Sequence, residues 1–284
     1  MSPIQITSLL IAPPSINTRA RALFSLNTLP KTRYRWRVRS LGTLAACSLG
    51  LAQAVVPLSA GEAATPASTG LAPFGVVGAP ALAPVWQFTG LLAKPHTRFD
   101  MVLLEGEPAL QVSTDNSYGA IAHSWHGPTP AQLEWRWRVD QPLLHTDIST
   151  KAGDDAALKV CVMFDQPRAD IPLLQRAGLA LARAASGQEI PNATLCYVWD
   201  SHYPAGTSGT NPFSARVRYI VLDGRDAPLA HWSTQRRRVA DDFQLLFGKE
   251  TPITPPVVAV AVGADSDNTH DQSRAYLSQL HWLP

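Results

Sequence analysis

From Val85 onwards, short runs of alternating apolar and polar residues are separated by turn-forming residues, a pattern typical of β-strands. In the clearest run, 133–139, four apolar residues alternate with three charged ones, so all the apolar side chains point one way. Trp135 and Trp137 are therefore predicted to be core residues. Seven further runs have strand character: 101–104, 120–124, 158–164, 194–199, 217–222, 257–262 and 275–282. The pattern predicts a mainly β fold, an antiparallel β-sandwich or jelly roll.

Two segments carry helix signals instead. The first begins with Asp170 as N-cap and Pro172 in the first turn, and Gly187 ends it. Its predicted apolar side consists of Leu173, Leu174, Ala177, Leu181 and Ala184. The second helix is short, from Asp241 to Phe247, and is closed by Gly248. Residues 85–284 show no second composition boundary, so we predict a single β-sandwich domain with one or two inserted helices.

The N-terminal region has the features of an export signal. Residues 1–60 contain seven basic residues and no acidic residue, and an apolar run follows at 41–58. Small residues offer cleavage sites after Ala54 or Ala60. We expect 1–60 to be an N-terminal extension and signal sequence, and the Ala-, Pro- and Gly-rich segment 61–84 to be a flexible linker. The protein is therefore expected to be exported, periplasmic or secreted.

Two alternatives to simple cleavage exist. Residues 44–47 fit a bacterial lipobox, which would make Cys47 a lipidated N-terminus. An uncleaved leader would instead act as a membrane anchor, since the apolar run has about the minimum spanning length. No other stretch approaches that length, so the mature form is predicted to have no membrane span.

The charge distribution argues against nucleic acid as a partner. The whole chain has a net charge of +2, but without the leader it has 17 basic and 22 acidic residues, a net charge of −5. The basic cluster at 235–238 has only Trp232 nearby, whereas nucleic-acid binding needs a broad basic face with stacking aromatics. An exposed strand edge accounts for the cluster equally well.

Common catalytic motifs are absent from the sequence. It has no nucleophile elbow G-x-S-x-G, no zinc helix H-E-x-x-H and no phosphate-binding G-x-x-x-x-G-K. The sequence thus favours a protein that is not an enzyme, and it predicts no cofactor other than calcium.

Two loops concentrate acidic residues. Asp154 and Asp155 precede the run 158–164, and Asp265, Asp267 and Asn268 follow the run 257–262. Such oxygens suit calcium, with Asp265 and Asp267 as ligands, or they divide acid and base roles in glycoside hydrolysis. The alternative is that these side chains only cap turns.

Three further side chains are candidates for a site or a cross-link. Arg237 is a candidate partner for Asp154 or Asp265. Trp199 ends a strand beside a polar loop, where it would stack on a ligand. Cys161 and Cys196 lie in predicted strands; we interpret them as buried free thiols, with a disulfide as the alternative.

Several segments, in order, resemble one bacterial family of unknown function, DUF3047. They include 133–139, 153–155, 160–164, 195–199, 211–213, 216–222, Trp232, 237–239, Asp242, 247–248 and 265–269. The resemblance implies an exported protein with a galactose-binding-type jelly roll, and it brings no activity. Asn211 and Asp242 join the ligand-binding candidates through it. Arg238, Phe243 and Ser266 depart from the family pattern, which has Asn, Tyr and Thr there.

Three functions are compatible with these features. The first is a non-catalytic periplasmic or surface protein that binds a carbohydrate or another cell-envelope ligand. The second is an envelope hydrolase that uses the loop carboxylates in the manner of a glycosidase. The third is a structural or assembly protein in which the polar side chains of these loops only stabilise turns. The three differ in whether the Asp loops, Arg237 and Trp199 converge on one cavity.

Overall fold

The structure, a computed structural model, describes residues 70–91, 94–125, 129–186 and 190–284. The predicted lipidation site Cys47 and the cleavage sites at Ala54 and Ala60 lie outside these residues. The strands and helices are, in order, β1 Trp86–Thr89, β2 Arg98–Leu104, β3 Glu107–Asp115, β4 Tyr118–Ser124, β5 Gln132–Gln141, β6 Ala156–Phe164, α1 Leu173–Ser186, β7 Ala193–Trp199, β8 Ser208–Thr210, β9 Val217–Asp223, β10 Ser233–Arg237, α2 Val239–Phe247, β11 Val257–Asp265 and β12 Gln272–Leu283.

The described strands form two sheets. One has seven strands in the order β1-β4-β11-β6-β7-β9-β8, and the other has five in the order β10-β5-β12-β3-β2. Neighbouring strands are antiparallel except β7 and β9, which are parallel. The protein is mainly β, and the predicted sandwich with two inserted helices is confirmed.

The core lies between the two sheets. Trp135 and Trp137 are fully buried there, as the alternation in β5 predicts, with ring centroids 5.5 Å apart. The indole of Trp137 donates a hydrogen bond of 2.6 Å to Asp223 Oδ2, so its polar group is satisfied. Tyr197 and Trp199 reach the same core from β7. Large aromatic side chains from both sheets therefore fill the interior.

The apolar side predicted for α1 is wrong. Leu173, Leu174 and Leu181 are 73%, 86% and 72% exposed, whereas Leu179 is buried. The helix thus packs on the domain through a different and narrower stripe. None of the helices in the described residues is long and apolar enough to cross a membrane.

Residues 70–84, which we expected to belong to the linker, pack against the sandwich. Phe74 is buried, with its ring centroid 4.5 Å from that of Trp86, and the Trp86 indole donates to the carbonyl of Ala72. The domain therefore includes part of the segment that composition alone assigned to a tether, because a few apolar residues suffice to anchor it.

Cys161 and Cys196 form a disulfide, so their interpretation as free thiols is wrong. The two residues are direct partners on the antiparallel strands β6 and β7, and their Cα atoms are 4.0 Å apart. They lie on the face of the seven-stranded sheet that points away from the other sheet, beside Val198 and Ala261. The sequence did not show that β6 and β7 are neighbours, and it is this pairing that places the two cysteines opposite each other.

Replacing both cysteines by alanine is expected to destabilise the protein by about 2–4 kcal/mol, because the bond closes a loop of 35 residues and restricts the unfolded chain. Urea unfolding of the double variant measures the change. Reduced wild-type protein should match the variant; a variant as stable as oxidised wild type would contradict the prediction.

Candidate functional site

Four carboxylates predicted from two separate loops converge on the outer face of the seven-stranded sheet. We call Asp154, Asp155, Asp265 and Asp267 the acidic cluster. Asp265 ends β11, where it pairs with Ala156 at the start of β6 and with Tyr118 at the start of β4. The register of three neighbouring strands therefore brings the two loops together.

Asp155 ties the two loops to each other. It is 1% exposed, and its Oδ2 accepts hydrogen bonds from the backbone N–H and the hydroxyl of Thr269, at 2.6 and 2.7 Å. Its Oδ1 accepts from the side-chain amide of Asn268 at 3.1 Å. The backbone N–H of Asn268 lies 3.2 Å from Oδ2 as well. Asp155 thus holds the loop 266–269 against the start of β6.

Asp265 is buried and has one strong cationic partner. Its Oδ2 lies 2.6 Å from the Lys159 ammonium, and its Oδ1 accepts from the backbone N–H of Ala156 at 2.9 Å. Burial raises the pKa of Asp265 to about 6, although the charge of Lys159 acts in the opposite direction. At neutral pH the Asp265–Lys159 ion pair is present and lies at the surface of a cavity.

Asp154 is the most accessible carboxylate of the cluster. Its Oδ2 accepts a hydrogen bond of 2.5 Å from the side-chain amide of Asn211. Burial raises the pKa of Asp154 above its ordinary range, while Lys159 and the Asn211 amide lower it. Asp154, Asp155, Lys159, Asn211 and Asp265 line a cavity of about 40 Å³. A cavity of that size has room for an ion or a few water molecules.

Asp267 completes the cluster with an unsatisfied oxygen. It is 6% exposed, and its Oδ2 lies 3.0 Å from the Lys94 ammonium. Its Oδ1 is buried and has no hydrogen-bond partner among the described residues. Asp155, Asp265 and Asp267 each offer one oxygen, and these oxygens lie within 4.8 Å of one another.

The other predicted site residues lie elsewhere. Arg237 pairs with Asp242 at 2.5 Å, not with Asp154 or Asp265, and Asp242 Oδ2 also accepts from the Tyr197 hydroxyl at 2.8 Å. This arrangement links β10, α2 and β7. The expectation that Arg237 reaches the Asp loops is wrong, since its strand lies in the other sheet.

Trp199 lines a second, larger cavity near the end of the sandwich. The cavity measures about 150 Å³, and we call it the tryptophan cavity. Trp199 is only 4% exposed, so it forms a wall and not a free platform. Residues from the end of β9, from the segment before β10 and from the start of β10 complete the lining: Asp223, Ala227, Pro228, His231, Trp232 and Ser233.

Asp223 is held in a fixed orientation at the tryptophan cavity. Its Oδ2 accepts from the Trp137 indole at 2.6 Å and from the Gln235 amide at 3.2 Å. No described residue donates to its Oδ1. Trp232 is half-buried, with the Arg136 guanidinium 5.2 Å from its ring centroid. The cavity thus combines aromatic walls with an oriented acceptor.

Sequence reasoning missed Lys159, Lys94 and Asp223. A signal for Lys159 existed, because it is the one charged residue in the apolar run of β6. A lysine at such a position needs a buried carboxylate partner. Lys94 and Asp223 had no comparable signal, since Lys94 is followed by Pro95 and Asp223 by Gly224, so that each stands where a turn is expected.

Comparison with known proteins gives a family and a structural likeness. No curated protein sequence matches the chain. Among solved structures it is similar to the xyloglucanase domain of NopAA, a type three effector from Sinorhizobium fredii, in complex with cellobiose. The identity is 8% and the TM-score 0.33, with 69% of this chain and 95% of that chain covered. The family model for a protein of unknown function, DUF3047, matches residues 84–281. The chain therefore belongs to the DUF3047 family.

Proposed function

We propose that the protein is exported and binds a carbohydrate of the cell envelope without catalysing a reaction. The tryptophan cavity carries the proposal. It is lined by two tryptophans, by Asp223 and by Ser233, and its volume is about 150 Å³. A cavity of about that volume takes one six-membered ring.

Two features favour a sugar over a purely apolar ring in this cavity. Pyranose rings have apolar faces, which pack on aromatic side chains, and hydroxyl groups, which need hydrogen-bond acceptors. Trp199 and Trp232 supply apolar surface, and Asp223 Oδ1 supplies an acceptor that no described residue occupies. An apolar ligand that covered Asp223 Oδ1 would leave this one oxygen without a partner, at a free-energy cost.

Export is supported by two independent observations. The first is the leader, with seven basic residues followed by an apolar run. The second is the disulfide between Cys161 and Cys196, because such bonds persist mainly in oxidising compartments. A periplasmic or secreted location, free or anchored through Cys47 or the leader, accounts for both.

The hydrolase alternative receives less support. Asp154 and Asp265 share one cavity, and burial raises the pKa of both, which suits a general acid but not the ionised partner that glycoside hydrolysis also needs. However, that cavity is about 40 Å³, too small for the two sugar rings that flank a glycosidic bond. Asp265 is also engaged by Lys159, which leaves it poorly placed to transfer a proton.

A glycan array with wild type and a Trp232→Ala variant tests the proposal. Wild type is expected to bind one class of glycan, and the variant to bind it at least about tenfold more weakly, since it loses one aromatic wall. Trp232 is preferred to Trp199 because it lies outside the core and its loss should leave the fold intact.

Trp282→Ala is the matched control, since Trp282 is also half-buried but does not line the cavity. It should bind as wild type does. No glycan binding by wild type, or equal losses in the two variants, would contradict the proposal.

A further inference from the structure

The acidic cluster has the geometry of a calcium site. Calcium binds oxygen ligands at 2.3–2.6 Å, so two ligands of one ion lie at most about 5 Å apart. The converging oxygens of Asp155, Asp265 and Asp267 meet this limit, since they lie within 4.8 Å of one another. All three residues are more than nine-tenths buried.

The hydrogen bonds show which oxygens remain available. Asp155 is engaged by several donors, whereas each oxygen of Asp265 has a single partner. Asp267 Oδ1 has none among the described residues, although it is buried. A buried carboxylate oxygen without a donor is costly unless a cation satisfies it. This oxygen points to a ligand independently of the number of acidic residues.

The charges lead to the same conclusion. The four carboxylates of the acidic cluster face two ammonium groups, those of Lys94 and Lys159. With all six groups ionised, the cluster has a net charge of −2, which one divalent cation neutralises. The two lysines alone compensate only half of the negative charge of the acidic cluster.

We propose that the acidic cluster binds one calcium ion, with Asp265 and Asp267 as the main ligands and Asp155 as the third. The ion locks the loop 266–269 against the start of β6. The site shares no residue with the tryptophan cavity, so the calcium proposal and the carbohydrate proposal are independent and can be tested separately.

Calcium titration of the EDTA-treated protein, followed by calorimetry and thermal unfolding, tests the proposal. We expect a Kd of about 0.1–1 mM, as in extracellular calcium modules, and a rise in Tm of about 3 °C or more at 10 mM calcium. Asp267→Asn keeps the shape of the side chain but removes its charge. It should weaken calcium binding by about tenfold or more.

Two further variants separate a metal site from a closed ionic network. Asp226→Asn removes the same charge from an exposed position and should bind calcium as wild type does. Lys94→Gln removes a cation that competes for Asp267, so calcium should bind at least about threefold more tightly. In a network without metal, Lys94→Gln would only destabilise the fold.

Calcium binding that Asp267→Asn weakens and Lys94→Gln strengthens would establish the site. No calcium response by wild type, an unchanged Kd in Asp267→Asn, or weaker binding by Lys94→Gln would overturn it. None of these outcomes decides the carbohydrate proposal, which the glycan array with Trp232→Ala tests at the tryptophan cavity.

Discussion

Replacing Asp155 by alanine is expected to destabilise the protein by about 3–5 kcal/mol. The carboxylate is 1% exposed and accepts hydrogen bonds from the backbone and side chains of Asn268 and Thr269. Its loss leaves these partly buried donors without an acceptor. Urea unfolding at neutral pH, with EDTA present, measures the effect.

Asp226→Ala serves as the control for Asp155. Its side chain is 84% exposed and its one ion pair, with Arg225, is long at 3.7 Å. The free energy of unfolding should therefore stay close to that of wild type. An Asp155→Ala variant that is also as stable as wild type would show that the two loops do not depend on each other.

Replacing Asp242 by alanine is expected to cost about as much, about 3–5 kcal/mol. Its carboxylate is 6% exposed and accepts from the Tyr197 hydroxyl and from two nitrogens of Arg237. The variant leaves a buried phenol and a half-buried guanidinium without their acceptor. Because Asp242 lies on α2, the helix also loses its polar link to β7 and β10. Glycan and calcium binding should survive under conditions where the variant folds.

Asp241→Ala is the matched control for Asp242, since the two residues are neighbours on α2. Asp241 is exposed and pairs only with the exposed Arg238 at 2.7 Å. Its loss should cost no more than about 1 kcal/mol. Equal destabilisation by the two variants in urea unfolding would contradict a special role for the buried carboxylate.

The fold was largely predictable because alternation in single strands reports directly on burial. β5, with its two core tryptophans, is the clearest example, whereas β7 is a run buried at every position. β3 was not predicted, because it begins with Glu107 and Pro108, and β10 was anticipated only as an exposed strand edge, because polar residues occupy both of its faces. Strand order was beyond sequence reasoning, since it depends on contacts between distant segments.

The candidate site was predictable only in part. The two Asp loops were found because carboxylates cluster in each, but their meeting depends on the register between β6 and β11. Arg237 was placed wrongly because its strand belongs to the other sheet; its partner Asp242 lies only five residues further along the chain. Local sequence identifies polar groups, whereas long-range pairing decides which of them meet.

The tryptophan cavity was likewise predictable from local sequence only in part. Trp199 was recognised as a strand-end aromatic beside a polar loop, and it lines the cavity, but as a buried wall. The more accessible aromatic surface comes from Trp232, which precedes β10 in the neighbouring sheet. The cavity therefore depends on Trp232 as well as on Trp199, and the two residues are distant in sequence.

The proposed function is tested most directly by NMR of the tryptophan indole N–H groups during titration with the glycan that binds best on the array. The proposed function predicts shifts at the indoles of Trp199 and Trp232, with those of Trp125 and Trp282 unchanged. It would be contradicted if no indole responded, or if the responses were confined to backbone amides of Asp155 and Asn268 at the acidic cluster.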